Sequence, residues 1–185
     1  ADLFAKDVAQ VATVTRSYGP AKILSNPSKI VQGPPPHALY EGKYYSEKKV
    51  KSGEKLEQGN IIQTGSNAKV RLVYSNGDQI TIAGNSAYQI RWDVNKPDAK
   101  PAVDVLMGKF RAVIQSGGPR TDMEVRTKQM VMGVRGTDFF VSARGKGGDS
   151  EVTVLRGKVA VQPVSEKVAP IEVPAGFSAV VPVAQ

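Results

Sequence analysis

The residues best suited to chemistry lie between Tyr40 and Lys55, where Tyr40, Tyr44 and Tyr45 are followed by Lys48, Lys49, Lys51 and Lys55. Aromatic rings stack on sugar faces and adjacent ammonium groups draw anions, so the cluster is a candidate glycan or anion site. The competing reading is structural, with the tyrosines anchoring a loop on a sheet and the lysines in solvent. Lys69 and Arg71 either extend this patch or guard the edge of a sheet against unwanted pairing. Catalytic constellations are harder to assemble. There is no Cys and one His, which excludes a thiolate nucleophile, a disulfide framework and any site built on two histidines. His37 stands beside three prolines, with no orienting partner or nucleophile in the sequence, and is read as a solvated loop histidine. Asp93, Asp98 and Asp104 lack the Asp-any-Asp spacing of a calcium loop. Gly136-Thr137-Asp138-Phe139 and Ser116-Gly117-Gly118-Pro119 have the glycines of a phosphate cradle, but neither feeds a helix as a cradle requires. The expectation is no enzyme, no cofactor and no metal.

The elements that position these residues follow from composition. There are 25 Val and 9 Ile against 7 Leu, with 18 Gly and 12 Pro. β-branched side chains are stiff at χ1 and fit pleated surfaces, so the chain is read as all-β. At 185 residues it can bury a core without a staple. Lys and Arg number 25 against 17 Asp and Glu, a net charge of +8 that favours anionic partners. Nucleic acid is disfavoured, because the aromatic residues fall mostly at core-phase positions and base-reading β modules expose theirs. Uncharged apolar stretches run to only about ten residues, near 171–184, and are broken by Pro174 and Pro182; a spanning helix needs about 20. No membrane span is expected. The Ala1-Asp2-Leu3-Phe4 start has the form left by signal peptidase, giving an expectation of export.

Along the chain, residues 1–12 read as a short helix or an extended lead-in. Val11–Leu24 is strand-like, with a turn at Tyr18-Gly19-Pro20. Residues 25–48 read as a long Pro-rich excursion without regular structure, since Pro removes ladder donors. The domain reading follows: 1–49 as lead-in plus excursion and 50–185 as a β domain, the whole a continuous unit. Lys69–Tyr74 and Gln79–Ala83 alternate around Ser75-Asn76-Gly77-Asp78, a predicted type I′ hairpin. Val70, Leu72, Tyr74, Ile80 and Ile82 share one face, while Lys69 and Arg71 look the other way. Strands follow at Ala87–Trp92, Val103–Val113, Met123–Thr127, Val131–Arg144, Glu151–Val161 and Ile171–Val183, with turns at 117–119 and 145–148. Val105–Val113 also lies over Val154–Gln162, each meeting a Gly-Lys step at Gly108 or Gly157. A glycine there permits a bend where a Cβ would clash. Stacked strand–turn–strand units of this kind make a β-solenoid-like or twisted two-sheet domain.

The stretch Gly59–Gly65, then Val70-Arg71-Leu72 with Asn76–Ile82, and Val105–Phe110 resemble the opening of the FecR domain. Gly133-Val134-Arg135-Gly136-Thr137-Asp138-Phe139-Phe140-Val141 resembles that family's Gly-Thr-any-Phe-any-Val stretch, and Val152–Val161 and Val173–Gly176 fit its close. In this reading Gly65, Gly77, Gly108, Gly136, Thr137, Phe139 and Gly157 are structural: Gly136 bends the strand, Thr137 bonds the turn and Phe139 fills the core. The resemblance implies a periplasmic or secreted bacterial domain that binds an envelope protein or an anionic glycan. It also implies the alternative of a periplasmic sensor portion of a transmembrane signalling regulator.

Overall fold

The computed structural model describes residues 9–115, 122–145 and 147–184. Among them there is no helix, and hence none long and apolar enough to cross a membrane. The lead-in at 1–8 and the turn at 117–119 lie outside the described residues. The strands are β1 (Gln10–Tyr18), β2 (Ala21–Ser28), β3 (His37–Tyr40), β4 (Lys43–Lys49), β5 (Lys55–Glu57) and β6 (Ile61–Thr64). Next come β7 (Lys69–Tyr74), β8 (Gln79–Ile82), β9 (Ala87–Ile90), β10 (Ala102–Val113), β11 (Asp122–Arg126) and β12 (Met130–Arg135). The last are β13 (Asp138–Ala143), β14 (Ser150–Arg156), β15 (Lys158–Pro163), β16 (Ile171–Pro174) and β17 (Ser178–Val181).

The ladders sort these strands into two sheets. The front sheet runs β5-β1-β7-β8-β10-β13-β14-β17, antiparallel throughout. The back sheet runs β3-β4-β2-β6-β9-β10-β11-β12-β15-β16, antiparallel except for the parallel pair β10–β11. One strand serves both. Val103–Met107 of β10 pairs with β9 in the back sheet, and Phe110–Val113 pairs with β8 in the front sheet. The crossing falls at Gly108, whose φ of +93° is left-handed and whose Cβ, were there one, would stand 2.1 Å from Ser86 Oγ. Only glycine satisfies both conditions. Gly157 marks the matching step in the opposite direction, from β14 in front to β15 behind, with φ +81°. The two-sheet form of the all-β reading is therefore the one adopted.

Alternation fills the space between the sheets. Val70, Leu72 and Tyr74 of β7 point inward with Phe139 and Val141 of β13, to meet Met132 and Val134 of β12 and Val103 and Val105 of β10 in one continuous core. Full burial of each such side chain stabilises the fold by about 1.5–3 kcal/mol. Tyr88, Phe110 and Phe139 stack edge to face at 5.8 and 6.0 Å, tying β9 to β10 and β13. The Tyr74 and Tyr88 hydroxyls hydrogen-bond to each other across the two sheets, which satisfies polar groups that burial would otherwise penalise.

Three readings need correction. Residues 25–48 are not an irregular excursion: β2 continues to Ser28, and β3 and β4 form a hairpin, leaving only 29–36 and the turn at 41–42 without strand. Pro27 is tolerated because it sits where the β2–β4 register shifts, between Ser25 and Ser28. Glu41 and Gly42, at φ 46° and 77°, close the β3–β4 turn, the type I′ geometry expected elsewhere. The Asn76-Gly77 hairpin forms, but only Gly77 has positive φ. Gly77 N–H donates to Tyr74 C=O at 2.9 Å, giving a three-residue loop that ends in a glycine bulge. Finally, Val131–Arg144, Glu151–Val161 and Ile171–Val183 are each two strands, broken at Gly136-Thr137, at Gly157 and at 175–177, where the chain changes sheets.

Candidate functional site

The outer face of the front sheet gathers cations that local sequence keeps apart. Ladder register places Arg16 opposite Arg71, Arg71 opposite Thr81, Thr81 opposite Arg111, and Arg111 opposite Phe140. They form a single row across five strands. In the adjoining row Tyr18 faces Lys69, and Lys109 faces Ser142. Arg16 reaches this face only because the β1 register shifts between Val14 and Arg16; without that bulge the alternation would turn it inward. All of these but Ser142 line a shallow groove of about 910 Å³. A second depression of about 720 Å³ continues it past Lys109 and Phe140 toward Arg144.

Two of the arginines are held in place. Arg111 donates from Nε and Nη2 to both carboxylate oxygens of Asp138 at 2.9 and 2.7 Å, and its guanidinium lies 5.5 Å from the centre of the Phe140 ring. This fork holds the Asp138 carboxyl below the usual carboxylate range and raises the arginine. Arg71 donates to Gln79 Oε1 in the next strand. Arg16, Lys69 and Lys109 make no ion pair with the described residues. The outer face of the back sheet is organised differently. There Lys22 pairs with Glu47 at 2.8 Å, Arg91 with Asp104 at 2.7 Å, Lys100 with Asp122 at 3.0 Å and Lys158 with Glu172 at 3.2 Å. One face carries its charges in pairs; on the other, six cations (Arg16, Lys55, Lys69, Arg71, Lys109 and Arg111) share the surface with Glu57, Asp138 and Glu151, and among the described residues only Arg111 and Asp138 pair. Like charges directly opposite destabilise a sheet, so nothing in the stability of the fold accounts for Arg16 beside Arg71.

The Tyr40–Lys55 cluster is divided by the fold. Tyr45 is 6% exposed and packs with Leu24 and Ile61 in a small second core on the outer side of the back sheet, against which Tyr40 and Leu106 also rest. Burial raises the hydroxyl pKa of both Tyr40 and Tyr45. Tyr44 is half-buried. Lys48 pairs with Glu54 at 2.8 Å, and Lys49 and Lys51 are exposed on the approach to β5. Lys55, opposite Thr13 in β1, faces outward from the front sheet beside buried Leu56. Lys69 and Arg71 lie on β7, which is flanked by β1 and β8 and so is not a sheet edge. Of the expected cluster, the fold thus places Lys55, Lys69 and Arg71 on the face that Arg16, Lys109, Arg111 and Phe140 complete. Those last four were missed because their phase is visible only once each strand is paired. The usable signal was an aromatic, Phe140, at an outward position between inward Phe139 and Val141.

Elsewhere, partly buried polar groups have structural partners. Thr137 Oγ1 donates to the carbonyls of Arg135 and Lys158, both at 2.9 Å, fastening the turn at Gly136 to β15. Asp78 accepts from Gln115 N–H at 2.9 Å and from Asn76 Nδ2 at 2.9 Å, with its pKa raised by burial. His37 Nε2 lies 3.0 Å from Gln32 O and 3.1 Å from Gly33 O, where it donates. Among the described residues no three His, Asp or Glu side chains gather as a metal site.

No curated protein sequence matches the chain. Two crystal structures, each of a provisionally assigned anti-sigma factor from Parabacteroides distasonis, share the fold with a TM-score of 0.56 at 17% and 16% identity. Each alignment covers 66% of this chain and 54% of the other, so the chain spans about half the length of those proteins. The family described as FecR protein matches residues 60–160, which run from β6 into β15 and include the Gly108 and Gly157 crossings. More than half of the chain lies within that match, and the protein belongs to the FecR family.

Proposed function

We propose that this chain is a non-enzymatic FecR-type binding domain of the bacterial cell envelope, exported to the periplasm or beyond, that takes an anionic partner on the outer face of its front sheet. The observation that carries this reading is the row Arg16–Arg71–Thr81–Arg111, with Lys55, Lys69 and Lys109 beside it. Of these cations only Arg111 has a carboxylate partner among the described residues, and the unpaired ones raise the local concentration of anions and speed their capture. The carboxylate held by the groove's Arg111, Asp138, is engaged by that arginine's fork, so the groove offers charge and shape rather than an acid–base pair. Retention of the purified domain on immobilised envelope fractions tests the proposal. The double variant Arg16→Glu and Arg71→Glu is expected to lose about tenfold or more of that retention, since charge-assisted contacts contribute about 1.5–3 kcal/mol each. Quadruple replacement of Lys48, Lys49, Lys51 and Lys55 by Glu is expected to weaken it less. Equal retention of the double variant and the unaltered domain would overturn the assignment of this face.

A second reading is favoured by the family and by the span of about half the length of the solved proteins. In it, the chain is the periplasmic sensor portion of a FecR-type signalling regulator, and the cationic face meets the transmitting protein. The full reading frame decides between them. A spanning helix encoded upstream supports the regulator, and a cleavable signal peptide removes it.

A further inference from the structure

We propose that the front-sheet groove binds an acidic polysaccharide, laid across the strands, with its acidic groups on Arg16, Arg71 and Arg111 and a sugar ring against Phe140. This rests on the binding role proposed above and names its ligand. The groove runs transverse to the strands from β1 to β13, four inter-strand spacings or about 19 Å, and it is open along its length. That shape suits a chain rather than a small molecule, which would be enclosed by a pocket.

The chemistry alternates as an acidic glycan alternates. Guanidinium groups, which fork onto planar anions, stand without a carboxylate partner at Arg16 and Arg71, while Arg111 spends Nε and Nη2 on Asp138 and offers Nη1. Between Arg71 and Arg111 sits Thr81, whose hydroxyl makes no hydrogen bond with the described residues and so is available to a sugar hydroxyl. At the far end, the 43%-exposed Phe140 offers the flat apolar surface on which the C–H face of a sugar rests. Asp138 fixes Arg111 beside that ring and Gln79 fixes Arg71, so the two anchors are ordered before the ligand arrives and little entropy is lost on binding. A protein partner would be met by an apolar, aromatic centre, and here the centre is Thr81 and Arg111. Single-stranded nucleic acid needs a succession of stacking platforms, and the exposed rings of this groove, Tyr18 on β1 and Phe140 on β13, stand at its opposite ends with only cations and Thr81 between them.

Calorimetric titration of the intact chain at about 0.15 M salt, where exposed charges are screened beyond about 8 Å, tests the proposal with four probes. These are a short oligouronate, a neutral oligoglucan of equal length, a linear inorganic polyphosphate and a single-stranded DNA oligonucleotide. The oligouronate is expected to bind, and the neutral glucan to bind at least about tenfold more weakly, the loss of at least one charge-assisted contact. Arg16→Glu with Arg71→Glu should weaken the oligouronate about a hundredfold, two charge-assisted contacts at about tenfold each. Lys167→Glu, in the exposed loop before β16, should leave it within about twofold, because isolated surface charges contribute little. Phe140→Leu keeps an apolar side chain and removes the ring; it should cost the oligouronate several-fold and leave polyphosphate, which has no sugar face, unchanged. Tighter binding of DNA or polyphosphate than of the oligouronate would overturn the glycan, as would indifference to Phe140→Leu. Absence of oligouronate binding alongside undiminished retention on envelope protein fractions would remove the glycan and leave the binding role standing.

Discussion

Arg111 is held from two sides, by the Asp138 carboxylate and by the Phe140 ring, and that restraint carries a pH signature. The folded Asp138 carboxyl is depressed by Arg111, so its contribution to stability is present above the ordinary carboxylate value of about 3.9 and is lost as pH falls through the folded value. The pair is partly exposed, which limits the effect to about 0.5–1 kcal/mol. Asp138→Asn is therefore expected to lower the urea midpoint at neutral pH and to match the unaltered protein near pH 2. A difference that persists at the acid end would show that the fork acts through packing and not charge. Asp78 has the opposite sign. Burial raises its pKa, so its contribution favours the fold below the ordinary value and is lost as pH rises through the folded one. It remains tolerable at neutral pH because Gln115 N–H and Asn76 Nδ2 both donate to it.

The strands are bounded by glycines, and the glycines differ in what they demand. At Gly108 the left-handed φ coincides with the approach of Ser86 Oγ and Cα at 2.1 and 2.5 Å from a would-be Cβ, whereas Gly42, at φ +77°, has nothing within 4 Å. Gly108→Ala is expected to cost more than about 3 kcal/mol, through overpacking added to backbone strain. Gly42→Ala should cost only the strain, about 1–2 kcal/mol. Urea titration of the two variants separates these outcomes, and equal losses would mean that packing at the crossing is looser than its geometry. Much of this level is legible in sequence. The alternation of β7 and β8, the Gly-Lys steps at Gly108 and Gly157, and the roles of Gly136, Thr137 and Phe139 are all local patterns. The β3–β4 hairpin is not, because its prolines and short tyrosine-rich strands resemble a loop until Leu24 and Ile61 supply the surface they cover. Turn type at Asn76-Gly77 was misread for a related reason: Asn76 Oδ1 accepts the Asp78 N–H at 3.1 Å, and that bond favours a glycine bulge over a two-residue turn.

Across the whole molecule, the charge asymmetry between the two outer faces has an energetic cost in the free protein. Arg16 opposite Arg71, with Lys69 and Lys109 alongside, repel one another. Raising salt from about 20 to about 200 mM, which shortens the screening length from roughly 20 to 7 Å, is expected to raise the melting temperature. Arg16→Glu should stabilise the fold by about 0.2–1 kcal/mol by converting a like-charged cross-strand pair into an opposite one. A melting temperature that falls with salt, or an Arg16→Glu variant less stable than its parent, would contradict this reading. None of that face was legible in sequence as a unit, since strand order and register set it and both depend on pairings between distant segments. The double membership of β10 was equally hidden, and it has a dynamic consequence. A sheet that opened alone would have to tear half of β10 from its own ladder while the other half stayed bonded, so neither sheet has an opening of its own. Amides of Leu72 in front and Met132 behind are thus expected to exchange with solvent deuterium at one shared free energy, equal to that of global unfolding. Two distinct exchange classes, one per sheet, would show that the strand at Gly108 behaves as a hinge and not as a stitch.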